Sequence, residues 1–468
     1  MILPNTIKEL QDELFEKKYK AVDLVDGYLA RIKTLDKDLN SFITVTEGEA
    51  YSQAKSVDGL LSEGRSVLEK KPLLGAVFAV KDMYCTKGIR TTAGSRVLDS
   101  YIPPYSATAI KKLENAGAIL IGKTNQDAWA HGASGENSDF GPTKNPWDRS
   151  RVPGGSSSGS AAALGANFCT AALGTDTGGS VRQPAGFTNL VGLRPTYGSV
   201  SRYGVIAMAS SLDTVAFFGQ TVKDVEKIFD VLKGPDGYDA TVSGGRVQSA
   251  SRRTKLKIGL PKEYFEEGLN SEVRVIIEKA VSVFRRIGHE VLTISLPMTR
   301  YAVSTYYIIQ PAEVSSNLAR YDGVRFGAGR SRFGDEAKRR IMLGSFVLSA
   351  GYHDKYYGKA TQVRAKIAQD LENAFDKVDL ILTPTSPTPA FELGEKEADP
   401  LSMYLADVYT AAASLAGVPA MSLPVGFTKT GLPVGMQIIS SKFNEEALFA
   451  AGVKYQQVTD WHKKHPTI

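Results

Sequence analysis

Three short segments of this sequence carry residues that do chemistry in combination. GAVFAVKDM places Lys81 at the end of an apolar run over residues 73–80. In water such a lysine is an ordinary strand-end charge. Buried, its ammonium is disfavoured, its pKa falls, and it becomes a general base near neutral pH. VPGGSSSGSAAALGA sets Ser156, Ser157 and Ser158 between glycines and an alanine run, the pattern of a tight turn entering a helix with Ser156 or Ser157 as its cap. So many glycines beside serines indicate close backbone approach, which a plain cap does not need. ALGTDTGGSVRQPAG ends an apolar strand at Leu173 and presents Ser180 from a turn containing Gly174, Gly178 and Gly179. The N–H groups of Thr177, Gly178, Gly179 and Ser180 can converge on one oxygen, as an oxyanion hole or as an anion nest of the same geometry. Asp176 and Arg182 flank this turn and can pair to hold it rigid. Serine is a weak nucleophile that needs an adjacent base, and a lysine fills that role without histidine.

Two other patterns invite different chemistry. Residues 117–124, GAILIGKT, match the phosphate-loop pattern, but their four middle residues are apolar and a helix precedes them. A phosphate cradle needs exposed N–H groups after a strand, so a buried strand is expected here. Residues 155–159, GSSSG, match the esterase elbow around Ser157. That elbow needs a strand before it, whereas KNPWDRSRVPGG reads as loop. It also needs a histidine, and none of the five histidines sits in a supporting motif.

The elements that position these residues alternate. Residues 1–70 read as helices, with Leu10, Leu14, Val22, Val25, Tyr28 and Leu29 at helical spacing. From residue 71 strands and helices follow one another: strand 73–80, helix 106–117, strand 118–121, and the apolar run 168–173 into the Ser180 turn. Near residue 256 the pattern resets as a strand–helix–strand unit over about 254–300, with Val273, Ile276, Ile277, Ala280, Val281 and Phe284 on one helix face. Further strands are expected at 378–382 and 420–425. The expected architecture is α/β, an N-terminal helical segment (1–70) packed on a catalytic domain (71–468).

Hydrophobic residues make up 43% of the 468 and charged residues 23%, so a large core is expected. A net charge of +6 permits an acidic partner without demanding one. Cys85 and Cys169 stand alone, outside any metal or redox spacing. The N-terminus has no signal-peptide core, and no apolar run is long enough to span a membrane. The cytosol is the default expectation, with a mitochondrial matrix protein looking much the same.

Together the three segments resemble the amidase signature family. The resemblance covers most of the chain and is densest over residues 73–203. It implies a mixed β-sheet covered by helices on both faces. It also implies roles: Ser180 as nucleophile, Ser156 with a cis peptide bond as proton relay, and Lys81, neutral at rest, as the ultimate base. Within the family the chain is most similar to the glutaminase components of tRNA-dependent amidotransferases, through GKTNQDAWAHGASGENSDFGPTKNPWD, GLRPTYGSVSRYGVIAMASSLD, YYIIQPAEVSSNLARYDGVRFG and EAKRRIMLGSFVLSAGY. That resemblance implies hydrolysis of L-glutamine to glutamate and ammonia, with Tyr306, Arg340 and Asp407 contacting the substrate. The ammonia then serves a partner that amidates mischarged Glu-tRNA(Gln) or Asp-tRNA(Asn), using ATP and Mg²⁺ bound outside this chain. The partners implied are subunits B and C of a heterotrimer. Departures from the family pattern are Ser158 for a usual glycine, Gly135 where threonine is common, Trp129 and His131 in DAWAHG, and a short segment between Gly327 and Phe333. A free-standing amidase shares the catalytic set, and only the substrate pocket separates the two. A non-catalytic scaffold is disfavoured by an intact Lys81, Ser156 and Ser180.

Overall fold

The computed structural model describes residues 2–242, 255–266, 268–325, 327–396 and 399–468. Within them the strand-forming runs join into one sheet of eleven strands. These are β1 (Phe42–Val45), β2 (Val77–Lys81), β3 (Ile119–Thr124), β4 (Ala171–Thr175), β5 (Val191–Arg194), β6 (Val215–Gly219), β7 (Lys257–Pro261), β8 (Glu290–Ile294), β9 (Leu380–Pro384), β10 (Ala420–Phe427) and β11 (Pro433–Ser440). Their order is β1-β3-β2-β4-β6-β5-β10-β11-β9-β7-β8. The pairs β3–β2–β4 and β9–β7–β8 run parallel and the others antiparallel, so the sheet is mixed, as expected.

Both faces are covered, which explains the near-continuous apolar reading of the central strands. Phe78 and Val80 of β2 face one core with Leu173, Val215 and Phe217. Val77 and Ala79 face another with Ala172, Ala216 and Phe218. Helices Thr108–Asn115, Val222–Leu232 and Glu445–Gln457 close the first face. On the second lie helices Ile7–Phe15 and Ala21–Leu39 from the N-terminus, with helix Ser158–Gly165 from behind the serine block.

Two local expectations are corrected. The run 73–80 becomes strand only at Val77, because Gly75 at φ +77° turns the chain first. A Cβ there would meet Leu14 at 2.5 Å. The segment 1–70 is not wholly helical. FITV, led by an aromatic and β-branched residues that favour strand, pairs antiparallel with β3 as β1. The strand–helix–strand unit appears as β7, helix Ser271–Arg286 and β8, while residue 254 lies outside the described residues. Among the described residues no helix is long and apolar enough to cross a membrane.

Candidate active site

β2 and β4 are parallel neighbours, and both deliver side chains at their C-terminal ends, where open α/β sheets place ligands. Lys81 closes β2 and is wholly buried. Its Nζ lies 2.8 Å from Ser156 Oγ, 3.1 Å from Ser157 Oγ and 2.9 Å from Thr175 Oγ1. Burial pushes its pKa down to about 7, against the opposing pull of Asp127, Asp176 and Asp213. Ser157 spends its proton on the Thr175 carbonyl at 3.2 Å, so Ser157 accepts from the lysine. Lys81 Nζ donates to Ser156 Oγ as well, and once the amine is neutral this short contact is a path for a proton between the two.

The Gly155–Ser156 peptide is cis. Its turn is held from both sides. Gly155 N–H donates to Gln183 Oε1 at 3.0 Å, and a Cβ on Gly155 would fall 2.2 Å from the Asp127 carboxylate. That carboxylate accepts from the Gly135 and Asn137 amides, each at 3.0 Å at closest. Burial nevertheless raises Asp127 to about 6.

Ser180 stands in the turn between β4 and helix Arg182–Thr188, and Ser157 N–H donates to its carbonyl at 3.2 Å. The turn is fixed through its carbonyls. Asp176 O accepts from Arg194, Gly178 O from Thr410 Oγ1 at 2.6 Å, and Gly179 O from Gln183 N–H at 2.9 Å. In a trans peptide the N–H points opposite its C=O. The amides of Thr177, Gly179 and Ser180 are therefore turned away from these anchors. None of the four amides from Thr177 to Ser180 donates to a protein acceptor among the described residues. Glycine is required twice: a Cβ on Gly178 would meet the Tyr306 ring at 2.7 Å, and one on Gly179, at φ +147°, would meet Thr410 Oγ1 at 2.2 Å.

The expected Asp176–Arg182 pair is present and bidentate, at 2.9 and 3.0 Å, with both side chains buried. A second guanidinium, Arg194, joins it. Burial alone would raise Asp176, but the two guanidiniums outweigh it and hold the carboxyl at about 2.

The substrate-contact residues implied by resemblance cluster at the same place. Tyr306 packs on Gly178. Tyr307, next to it, donates to Asp407 Oδ2 at 2.9 Å and stacks on Tyr404 at 3.9 Å. Arg340 lies over both of those rings, at 4.7 and 4.8 Å. Within KRRI the three bases part company: Lys338 and Arg339 are about half exposed at 47% and 48%, while Arg340 keeps 4%. It pairs with Glu336 and with Gln310 Oε1, both at 2.6 Å. Burial raises Asp407 to about 7, with Arg340 pulling it back.

The two misleading patterns find structural occupations. Lys123 of GAILIGKT lies in β3 and pairs, wholly buried, with Asp82 at 2.8 Å. Ser157 of GSSSG is consumed by Lys81 and Thr175 and follows loop. Sequence reading missed Thr175, Asp127, Gln183, Arg194, Tyr307 and Thr410. Thr175 was within reach, two residues beyond the recognised strand end. Gln183 was too, three residues beyond Ser180 in the same segment, while the others are brought in from elements that no local pattern ties to the serines.

A serine-bearing turn with four unspent amides, beside a buried lysine and two further serines, has the chemistry that acyl transfer needs. The family model described as Amidase matches residues 23–449. The chain belongs to the amidase family. It is an amidase-class enzyme, and its relatives narrow the class further. It is 50% identical to the A component of the glutamyl-tRNA(Gln) amidotransferase of Coxiella burnetii, over 99% of both chains. It is 49% identical to the same component from Geobacter metallireducens, again over 99% of each. Among solved structures it superposes on the corresponding glutamyl-tRNA(Gln) amidotransferase component of Thermotoga maritima with a TM-score of 0.80 and 41% identity, covering 96% of this chain and 94% of that one. A 6-aminohexanoate cyclic dimer hydrolase, only 20% identical, shares the fold at a TM-score of 0.87, covering 99% of this chain and 98% of that one.

Proposed function

We propose that this amidase-family chain is the glutaminase component of a tRNA-dependent amidotransferase. In this reading Ser180 Oγ attacks the carboxamide carbon of L-glutamine. Its proton passes to Ser156 Oγ, and the Ser156 proton passes to Lys81 Nζ. The oxyanion sits against the amides of Thr177, Gly178, Gly179 and Ser180. On collapse the C–N bond breaks and the proton returns through Ser156 to the departing ammonia. Water then hydrolyses the acyl-enzyme by the same relay, releasing glutamate. The chain itself uses no cofactor. Ammonia passes to partner subunits B and C of a heterotrimer, where ATP and Mg²⁺ drive amidation of Glu-tRNA(Gln) or Asp-tRNA(Asn). The charged tRNA is held mainly by the partner, in the cytoplasm.

One observation favours this reading over a free-standing amidase: Arg340 and Asp407, both buried, each contact Tyr307, which neighbours the Tyr306 that packs on Gly178. A guanidinium and a carboxylate held out of water match the α-carboxylate and α-ammonium of an amino acid. A simple amide has use for neither. The test is to assay the purified chain, alone and co-expressed with candidate partner subunits, on L-glutamine and on 4-aminobutanamide, which lacks the α-carboxylate. Preference for glutamine, raised by the partner, is expected. Turnover of 4-aminobutanamide at equal or greater kcat/KM would instead establish the free-standing amidase.

A further inference from the structure

His131 is buried to 1% exposure, and neither ring nitrogen has a protein partner among the described residues. A buried imidazole with both nitrogens unpaired is costly unless something outside the polypeptide uses it. Its position narrows what that is. One residue further on, Gly132 lies so close to the Asp127 carboxylate beneath Ser156 that a Cβ there would fall 2.4 Å from it. Two residues before, Trp129 packs on Phe333 at 5.4 Å and on Tyr321 at 4.8 Å. The same apolar cluster contains Ala337, one turn before Arg340 on helix Asp335–Val347. The residues flanking His131 thus reach the turn beneath Ser156 on one side and the apolar cluster of the arginine helix on the other.

The backbone is strained to put it there. Trp129 and Ala130 both hold positive φ, 58° and 62°, a conformation that is unfavourable for a non-glycine residue and persists only where the surroundings enforce it. The loop is pinned by Trp129 N–H to Ala93 O at 2.8 Å and by Asn137 Nδ2 to His131 O at 2.9 Å. Burial first, and the Arg340 charge second, hold the imidazole well below its ordinary pKa, hence neutral. Neutral imidazole carries one N–H donor and one acceptor. Beside a guanidinium the donor is the useful face for an anion, because Arg340 already spends N–H groups on Glu336 and Gln310.

We infer that His131 is a specificity-determining residue, its ring N–H joining Arg340 in holding the α-carboxylate of the amino-acid substrate. The inference rests on the glutaminase reading and adds to it a neutral donor that needs no counter-charge of its own. In the enzyme with its partner subunits, His131→Met keeps volume without the donor. It should raise KM for glutamine about tenfold or more while leaving kcat within about threefold. His131→Gln, which keeps an N–H, should recover most of that loss. In the wild type, the imidazole NMR signal absent from His131→Gln should move when L-glutamate is added. An unchanged KM in His131→Met overturns the inference. So does an imidazole signal indifferent to L-glutamate while glutamine is still hydrolysed. If both variants fail to fold, the His131 signal is assigned by elimination, replacing His289, His353, His462 and His465 in turn, and its shift decides. A wild type that neither binds nor hydrolyses glutamine overturns the glutaminase reading along with it.

Discussion

A lysine enclosed by three hydroxyls has no water to carry its charge, and the pKa of about 7 for Lys81 follows from that enclosure. In the proposed relay the neutral amine is the active form. Below pH 7 the amine is protonated and its lone pair lost, so kcat should fall about tenfold per pH unit, and kcat/KM on glutamine more steeply because Asp407 is protonated in the same range. Above pH 7 both should level off. A limb centred near the ordinary lysine value would show that Lys81 is solvated. Lys81→Arg should be inactive at every pH, since a guanidinium stays protonated. Ser180→Ala should lose several orders of magnitude in rate with an unchanged circular dichroism spectrum. Residual turnover in a clean preparation of either variant would remove that residue from the mechanism. Arg340→Ala should separate recognition from chemistry. Loss of a buried charge-assisted contact, worth roughly 1.5–3 kcal/mol, predicts a fall of about tenfold to a few hundredfold in kcat/KM for glutamine. 4-Aminobutanamide should be hardly affected, and equal losses on both substrates would indicate a folding defect.

At the scale of elements, two departures from the family pattern turn out to be one. A Cβ built on Gly135 would lie 2.4 Å from Ser158 Cβ, so the serine that replaces a glycine at the start of helix Ser158–Gly165 occupies the space that Gly135 leaves. Gly135→Ala should cost roughly 1–3 kcal/mol of stability, through this clash and through its φ of +88°. Ser158→Gly in the same background should return the part due to the clash, and a urea double-mutant cycle should show coupling. Additive losses would mean the two sites are independent. The same scale marks what the sequence made readable. Lys81, the serine block and the Asp176–Arg182 pair were legible because each lies within a few residues of a strand end or glycine turn. β1 was not, because four residues inside a helical stretch show their strand character only when β3 lies alongside. Arg194, Thr410 and Gln183 were not, because what they bind is backbone, which carries no side-chain signature. Arg340 was distinguishable from Lys338 and Arg339 only once helix Asp335–Val347 had chosen which face to bury.

Across the whole molecule, the nucleophile turn is held from far away. Arg182 donates to Asp176, but also to Gln437 Oε1 at 2.8 Å, Ser414 Oγ at 2.8 Å and the Thr410 carbonyl at 3.0 Å. Gln437 in β11 in turn donates to Thr383 Oγ1 at 2.7 Å and to Tyr409 O at 2.6 Å. Gln437→Leu leaves a buried guanidinium N–H and two acceptors unpaired. It should cost roughly 1–3 kcal/mol of stability and lower kcat on every amide alike, with KM little changed. A selective effect on glutamine would move Gln437 into the substrate pocket instead.

That network also imposes an order in time. A ribosome delivers Lys81, Ser156 and Ser180 first, and Arg340, Asp407, Thr410 and Gln437 at least 160 residues after Ser180. At about 5–20 residues per second, the gap is roughly ten seconds or more. During it the emerging chain holds Ser180 but lacks Thr410 and Gln437, which anchor its turn, and the buried Arg340 and Asp407 beside it.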